Sequence, residues 1–407
     1  MYRRLLQYSA SLFLVGSLLT GSAKAQDTDS VVSEEERRLL EEALTGDLAS
    51  KEPVVTASPS AAIGPSSMNP SISMILDVAG AWFSDSEPMQ VGAHDPSQTG
   101  LNFQQLELHA ESRVDPYFDF QTNIVFSQFG VEIEEAYART LSLPASLQLK
   151  AGLALLSFGR ANPTHPHAWH FLDQPLILGK FMGGEGGRGL GVEASWLVPL
   201  EWFTKLTVSV SQSAGECCSR SFVGSTNEPI NGIEDFIYLA RLEQFWELTP
   251  NWSILVGASG LFGENKTGLN NHSLIMGGDL MIRYRPLNSP LRRAFHLQVE
   301  WMDRHRQVPD SVLHDAGLYV EARVTWSPEW ETGLRWEWVD GVDSDPTDAD
   351  WISDRMRNTA QVTWYPSHFS RLRLQVANDN PSWRDESIWS AMLGLEVLVG
   401  AHSAHNY

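Results

Sequence analysis

The stretch WETGLRWEW, residues 330–338, sets Trp330, Thr332, Leu334, Trp336 and Trp338 at alternate positions, with Glu331, Gly333, Arg335 and Glu337 between them. A period of two belongs to an extended strand, whose successive side chains point to opposite faces. The pattern recurs in GLYVEARVTW, where Leu318, Val320, Ala322, Val324 and Trp326 oppose Tyr319, Glu321, Arg323 and Thr325. In RAFHLQVEWM, Phe295, Leu297, Val299 and Trp301 oppose His296, Gln298 and Glu300. In SRLRLQVA, Leu372, Leu374 and Val376 oppose Arg371, Arg373 and Gln375. Each of these strands has one apolar face and one face that carries full charges.

A soluble sandwich would also turn charged faces to water, so the placement of the aromatics decides between the two. Trp326, Trp330, Trp338 and Trp364 sit near strand ends, where a lipid-facing barrel carries its interfacial girdles. Short turns at 114–117, 248–251, 327–329 and 365–368 alternate with long polar segments around 84–100, 159–187, 214–234, 341–354 and 379–386. Short turns at one end and long loops at the other are the signature of an outer-membrane barrel. About sixteen strands are expected, an even number as bacterial barrels require. They begin near 71, 101, 118, 131, 146, 188, 203, 235, 251, 272, 294, 315, 329, 355, 369 and 387. The fold class is therefore all-β: a transmembrane antiparallel up-and-down β-barrel over residues 71–407, with a short helix and linker before it. A barrel of about 16 strands leaves an aqueous interior in which charged side chains are hydrated.

The flanks agree. Arg3 and Arg4, the apolar run Leu12–Leu19 and the small-x-small triplet Ala23-Lys24-Ala25 read as a cleaved signal peptide over 1–25, hence Sec-dependent export to the outer membrane. In segment 26–70, Ser33-Glu34-Glu35-Glu36 starts a short helix with Leu39, Leu40, Ala43 and Leu44 on one stripe, and a Pro/Ser/Ala-rich linker follows. The helix is either a tethering element or a frayed tail. Tyr407 ends the last strand on the parity of Trp389, Leu393, Leu395, Val397 and Val399, as in the assembly signal of such barrels.

A net charge of −21 argues against a nucleic-acid partner and against anchoring by a basic patch. Cys217 and Cys218 are neighbours and cannot staple distant segments; a vicinal disulfide, a soft-metal site and a passive pair are the readings for them. Gly184-Glu185-Gly186-Gly187-Arg188-Gly189 matches GxGxxG but lacks the flanking strand and helix that would cradle a phosphate, and reads as a loop-to-strand bend. No nucleophile elbow, Ser-His pair or HExxH helix is present, so no enzyme activity is expected.

The alternating segments, the leader and linker, and the long third loop together resemble the general and phosphate-selective porins of Gram-negative bacteria. The stretch ELHAESRVDPYFDFQTNIVFSQFGVEIEEAYARTLSLPASLQLKAGLALLSFGRANPTHPHAWHFLDQPLI is similar to proteobacterial outer-membrane proteins labelled zinc-regulated TonB-dependent receptors. The likeness covers roughly 70–400 and is densest over 106–200. A TonB-dependent transporter has about 22 strands and a plugged lumen, and the linker before Ser71 is too short for a plug domain, so the resemblance implies the barrel and not energised transport. It also implies that the third loop folds into the lumen and sets a constriction, and that trimers are common at this size.

The expected pore-lining charges are Glu107, His109, Glu111, Arg113, Glu300, Glu321, Arg323, Glu331, Arg335, Glu337, Arg355, Arg357, Arg371 and Arg373. Acidic residues early and basic ones late would set a transverse field; alternatively they pair with and solvate one another. In the third loop, NPTHPHAWHFLDQP (162–175) spaces His165, His167 and His170 at i, i+2 and i+5, with Asp173 three further on, and Pro163 and Pro166 stiffen the segment. Neutral imidazoles with a carboxylate suit zinc or copper; otherwise these histidines hydrogen-bond the barrel wall. No cofactor is called for beyond that zinc. The sequence thus points to a porin-like channel for passive diffusion of small solutes or ions in outer-membrane lipid. The alternatives are a metal-binding or metal-uptake barrel and a non-transporting surface barrel.

Overall fold

A computed structural model of the chain describes residues 69–400, apart from 129, 224–231, 290, 344, 346–347 and 349–350. The signal segment, the helix and linker of 26–68, and the C-terminal Tyr407 lie outside the described residues.

Sixteen antiparallel strands close on themselves: β1 (Ser71–Phe83), β2 (Gly100–Arg113), β3 (Phe118–Phe126), β4 (Val131–Thr140), β5 (Leu147–Leu155), β6 (Arg188–Leu197), β7 (Phe203–Ser211), β8 (Ile237–Thr249), β9 (Trp252–Glu264), β10 (His272–Tyr284), β11 (Ala294–Val308), β12 (Ser311–Ser327), β13 (Trp330–Val339), β14 (Arg355–Ser367), β15 (Ser370–Pro381) and β16 (Ile388–Gly400). Each pairs with its sequence neighbour, and β16 closes the ring on β1, with Ser73 opposite Gly400 and Phe83 opposite Ser390. Among the described residues closure leaves no edge strand, as a bilayer favours, and the shortest ladder is β4–β5, from Ala136 opposite Leu153 to Arg139 opposite Lys150.

The two faces follow the sequence. Along β13, Glu331, Gly333, Arg335 and Glu337 are buried while Trp330 and Leu334 are exposed. Trp252, Trp326, Trp330 and Trp364 form an exposed aromatic band at the turn end, with Trp330 and Trp364 stacked at 6.2 Å between centroids; Trp82 and Trp389 mark the loop end. The alternation of link length is not strict. The β10–β11 link at the turn end runs 285–293, whereas β11 and β12 meet at the loop end through 309–310 alone. There the strands themselves are long, and β12 begins at Ser311 rather than near 315.

The long loops fold inward. The loop after β5 (156–187, L3) carries a short helix α1 (Leu176–Phe181) with every residue buried, and α1 packs against β11, β12 and β13 from inside. The loop after β1 (84–99, L1) reaches it through Ala93 N donating to Gly184 O. The core therefore lies inside the barrel, between L3 and the wall.

Candidate functional site

L3 is clamped where it enters and leaves. Asn162 Nδ2 donates to Leu156 O at 2.7 Å and to Gly187 O at 2.8 Å, and Gly187 N donates back to Asn162 Oδ1 at 2.6 Å. At the entry, Gly159 has a positive φ of 60°, and the next two amides, Arg160 N and Ala161 N, donate to Glu300 Oε1 at 2.5 and 2.7 Å. Glu300 is thus a docking group for L3 rather than a free charge in water.

From His167 to Asp173 the loop is an irregular strap whose backbone has no strand partner, yet buried carbonyls must be bonded. The wall supplies donors. Arg371 donates to His167 O, Arg373 Nη1 to Trp169 O at 3.2 Å and Phe171 O at 3.3 Å, and Arg335 Nη1 to Asp173 O at 3.0 Å. Gln361 takes His170 O, while Gln375 Oε1 accepts from Leu172 N at 2.8 Å. The Asp173 side chain is fully buried and bridges Arg335 (2.6 Å) and Arg357 (2.9 Å), with Gln375 Nε2 at 2.9 Å. Burial pushes the Asp173 carboxyl up, but the two guanidinium groups outweigh it and hold it below the usual carboxylate range. The wall guanidinium groups also bond within the wall and to L1: Arg355 and Arg357 to Asp379 and to Met89 O, and Arg371 and Arg373 to Glu396.

The opposite side of the lumen is acidic. His165 Nδ1 lies 2.8 Å from Glu134 Oε2 and its Nε2 lies 2.8 Å from Glu135 Oε2; His167 Nδ1 lies 2.5 Å from Glu107 Oε2. Asn123 stands between His109 and His165, its Oδ1 2.5 Å from His109 Nδ1 and its Nδ2 2.7 Å from His165 Nε2. Adjacent glutamates both point inward because β4 has a bulge: Asn123 pairs with Glu135 and Ile124 with Ile133, so Glu134 is the extra residue. Burial lowers the proton affinity of His165, but Glu134 and Glu135 outweigh it and raise its pKa well above the ordinary value. His170 goes the other way. Burial and then Arg323 lower its pKa, although Glu331 Oε1 is 3.2 Å from its Nδ1.

Beyond the strap an apolar cluster packs the loop-end half of the barrel. Leu176, Ile177, Leu178, Phe181 and Met182 of L3 meet Phe222 from the loop after β7 (212–236, L4), Trp351 from the loop after β13 (340–354, L7), and the wall residues Ile237, Leu261, Ile275, Met302 and Tyr319. Inward glycines are sockets for L3, for Phe158 and Ile177 of this cluster and for Phe171 and Leu172 of the strap. A Cβ on Gly277 would lie 2.7 Å from Phe158, on Gly317 2.7 Å from Ile177, on Gly333 2.9 Å from Phe171, and on Gly394 2.2 Å from Leu172. Toward the turn end the lumen stays open as a 560 Å³ cavity, lined among others by Arg283, Arg292, His296, Arg323, Glu331 and the strap itself.

The fourteen charges expected on the lumen face lie on the inward parity of their strands; Arg113, at the turn end, is exposed. Most face L3 or one another. The four candidate metal ligands do not converge: His165 goes to Glu134 and Glu135, His167 to Glu107, His170 to Glu331 and Arg323, and Asp173 to Arg335 and Arg357. Among the described residues, the groups whose donor atoms lie within 4.8 Å of one another are instead Glu107 with Glu134 and His165, His94 with Glu134 and Glu185, and Asp303 with His305 and His314. Glu134 and Glu135 were missed because the bulge that turns both inward breaks the alternation by which lumen residues are recognised. Cys217 and Cys218 form a vicinal disulfide in L4, and Glu185 N of L3 donates to Cys217 O at 3.0 Å.

No family model matches the chain. An uncharacterized protein of Aquifex aeolicus (strain VF5) is 29% identical over 385 residues, spanning 83% of this chain and 80% of its own. Among solved structures, the outer membrane channel DcaP of Acinetobacter baumannii superposes with a TM-score of 0.54 at 12% identity, covering 83% of this chain and 99% of its own. OprB of Pseudomonas putida gives 0.54 at 10%, covering 82% and 94%. The loop L8 deletion mutant of OmpT, an outer membrane protein of Vibrio cholerae, gives 0.53 at 8%, covering 82% and 100%. At these identities the likeness establishes architecture: this chain has the closed 16-strand barrel fold of Gram-negative outer-membrane porins.

Proposed function

We propose that the protein is an outer-membrane channel for passive diffusion of small solutes or ions, with L3 as its restriction. The observation that carries the reading is a closed barrel, apolar outside and charged inside, whose third loop is strapped across the lumen by wall arginines. The arginine-lined cavity at the turn end provides a hydrated vestibule leading to that strap. Loops of the barrel itself fill the upper lumen, which supports passive rather than plug-gated, energised passage. Export by a signal segment over 1–25, a periplasmic helix and linker over 26–70, and assembly as a homotrimer belong to the same reading. So does the likeness to phosphate-selective porins.

Swelling of liposomes that hold the folded, heat-modifiable protein tests this. Osmotic entry of small sugars or amino acids is the expected result, and no entry would overturn the channel reading. The packed loop-end cluster favours one rival, a surface barrel that binds or holds without conducting, and the absence of swelling would select it.

A further inference from the structure

Across the lumen, many buried carboxylates are matched with guanidinium or ammonium groups: Asp173 with Arg335 and Arg357, Asp279 with Arg241, Asp315 with Arg304 and Lys180, Asp379 with Arg355 and Arg357, while Glu300 is held by backbone amides. The seam between β2, β4 and L3 breaks this rule. Glu107, Glu134 and Glu135 are all buried, and among the described residues none forms an ion pair with Arg or Lys; their side-chain partners are the imidazoles of His165 and His167, with His94 beside Glu134, and Glu135 Oε1 also accepts from Leu155 N at 2.8 Å. Three buried carboxylates whose compensation is left to imidazoles form a place where a metal cation can take over that role.

The geometry says where. Glu134 and Glu135 are both acceptors, 2.8 Å from His165 Nδ1 and Nε2, so an ion entering at Nδ1 displaces the proton shared with Glu134 while Glu135 keeps one on Nε2. A carboxylate that fixes the tautomer from the far ring nitrogen is the usual backing of a metal-bound histidine. On the near side, Glu107 has one oxygen bonded to His167, and its other oxygen, Oε1, is buried with no hydrogen-bond partner. One donor atom each from Glu107, Glu134 and His165 lies within 4.8 Å of the other two, and the β4 bulge is the local irregularity that turns Glu134 into the group. The His165 and His167 rings stack at 5.6 Å, which keeps the second imidazole beside the same carboxylates.

We infer that Glu107, Glu134 and His165 bind a divalent transition-metal ion of the zinc type, with Glu135 as the orienting partner of His165, and that the ion pins L3 to the acidic wall. Mixed imidazole and carboxylate donors suit Zn²⁺ better than Mg²⁺ or Ca²⁺, which prefer oxygen alone. The site differs from the four-residue set suggested by loop spacing, and it stands whether or not the barrel conducts.

Two other groups also offer three donor atoms within 4.8 Å: Asp303, His305 and His314 on β11 and β12 near the loop end, and His94, Glu134 and Glu185, which shares Glu134 with the site. The test therefore uses the full-length H305A/H314A protein, folded in detergent and titrated calorimetrically with zinc alone. The expected result is one zinc per chain, with affinity falling at least tenfold on adding H165A or E134Q, to a smaller degree with E135Q, and unchanged on adding H94A. Zinc binding that disappears in the H305A/H314A protein, or that is unchanged by H165A and E134Q, would overturn the site. Should H165A or E134Q fail to give a heat-modifiable barrel, X-ray absorption on the zinc-loaded H94A/H305A/H314A protein decides. Imidazole scattering together with oxygen donors supports the site, and a shell of oxygens only rejects it.

Discussion

Replacing Asp173 by Asn should release the strap without opening the barrel. The side chain is fully buried and receives three bonds, from Arg335 at 2.6 Å, Arg357 at 2.9 Å and Gln375 at 2.9 Å. Removing one partner of a buried, hydrogen-bonded ion pair costs about 3–5 kcal/mol. Both arginines keep a second carboxylate, Glu337 at 2.9 Å and Asp379 at 2.7 Å, so the lower end applies. About 3 kcal/mol corresponds to a roughly hundredfold rise in the population of undocked L3. Hydrogen exchange read by mass spectrometry on peptides covering 167–182 would show it, as amide protection lost by about that factor while the strands stay protected. Asp119→Asn serves as control, because its pair with Arg139 is half-exposed, remote from the strap, and worth at most about 1 kcal/mol. Unchanged protection in D173N, with a heat-modifiable barrel, would show that Asp173 does not hold the loop.

Three further outcomes are expected. His94 of L1 bonds Glu185 of L3 at 3.0 Å; burial lowers its pKa, but Glu185 outweighs this and raises it to about 9. The contact is then fully stabilising below about pH 6.5 and is lost as pH rises through 9, a change on the order of 3 kcal/mol. Between pH 7 and 10 the melting temperature should fall further for the wild type than for E185Q, and equal falls would contradict the assignment. Gly394→Val would drive a side chain into Leu172, whose Cδ2 is 2.2 Å from the Cβ position, and overpacking costs about 1–3 kcal/mol. Its melting temperature should drop and recover in the G394V/L172A double variant; no recovery would argue against the socket. Deleting 388–407 removes the partner of both β1 and β15, and should abolish the heat-modifiable folded form on gels.

The barrel was legible because the bilayer imposes a rule readable two residues at a time. Glu331, Gly333, Arg335 and Glu337 alternate with lipid-facing Trp330 and Leu334, so strand positions and parities followed from local pattern. The site was legible only in its residue types. His165, His167, His170 and Asp173 sit within nine residues of one another, but their partners are Glu134 and Glu135, Glu107, Glu331, and Arg335 with Arg357, as far away as 184 positions in sequence. Pairing across a lumen depends on the path of the loop, which no periodicity encodes. The glycines at 277, 317, 333 and 394 read as gaps in their strands and are sockets for Phe158, Ile177, Phe171 and Leu172.

Single-channel conductance in planar bilayers tests the channel and its restriction together, on the wild type and on a variant in which residues 163–174, strap included, are replaced by a short Gly-Ser linker. A channel restricted by L3 predicts ohmic steps from the wild type that grow severalfold in the variant. Silence from both folded barrels, or equal steps from the two, would contradict it.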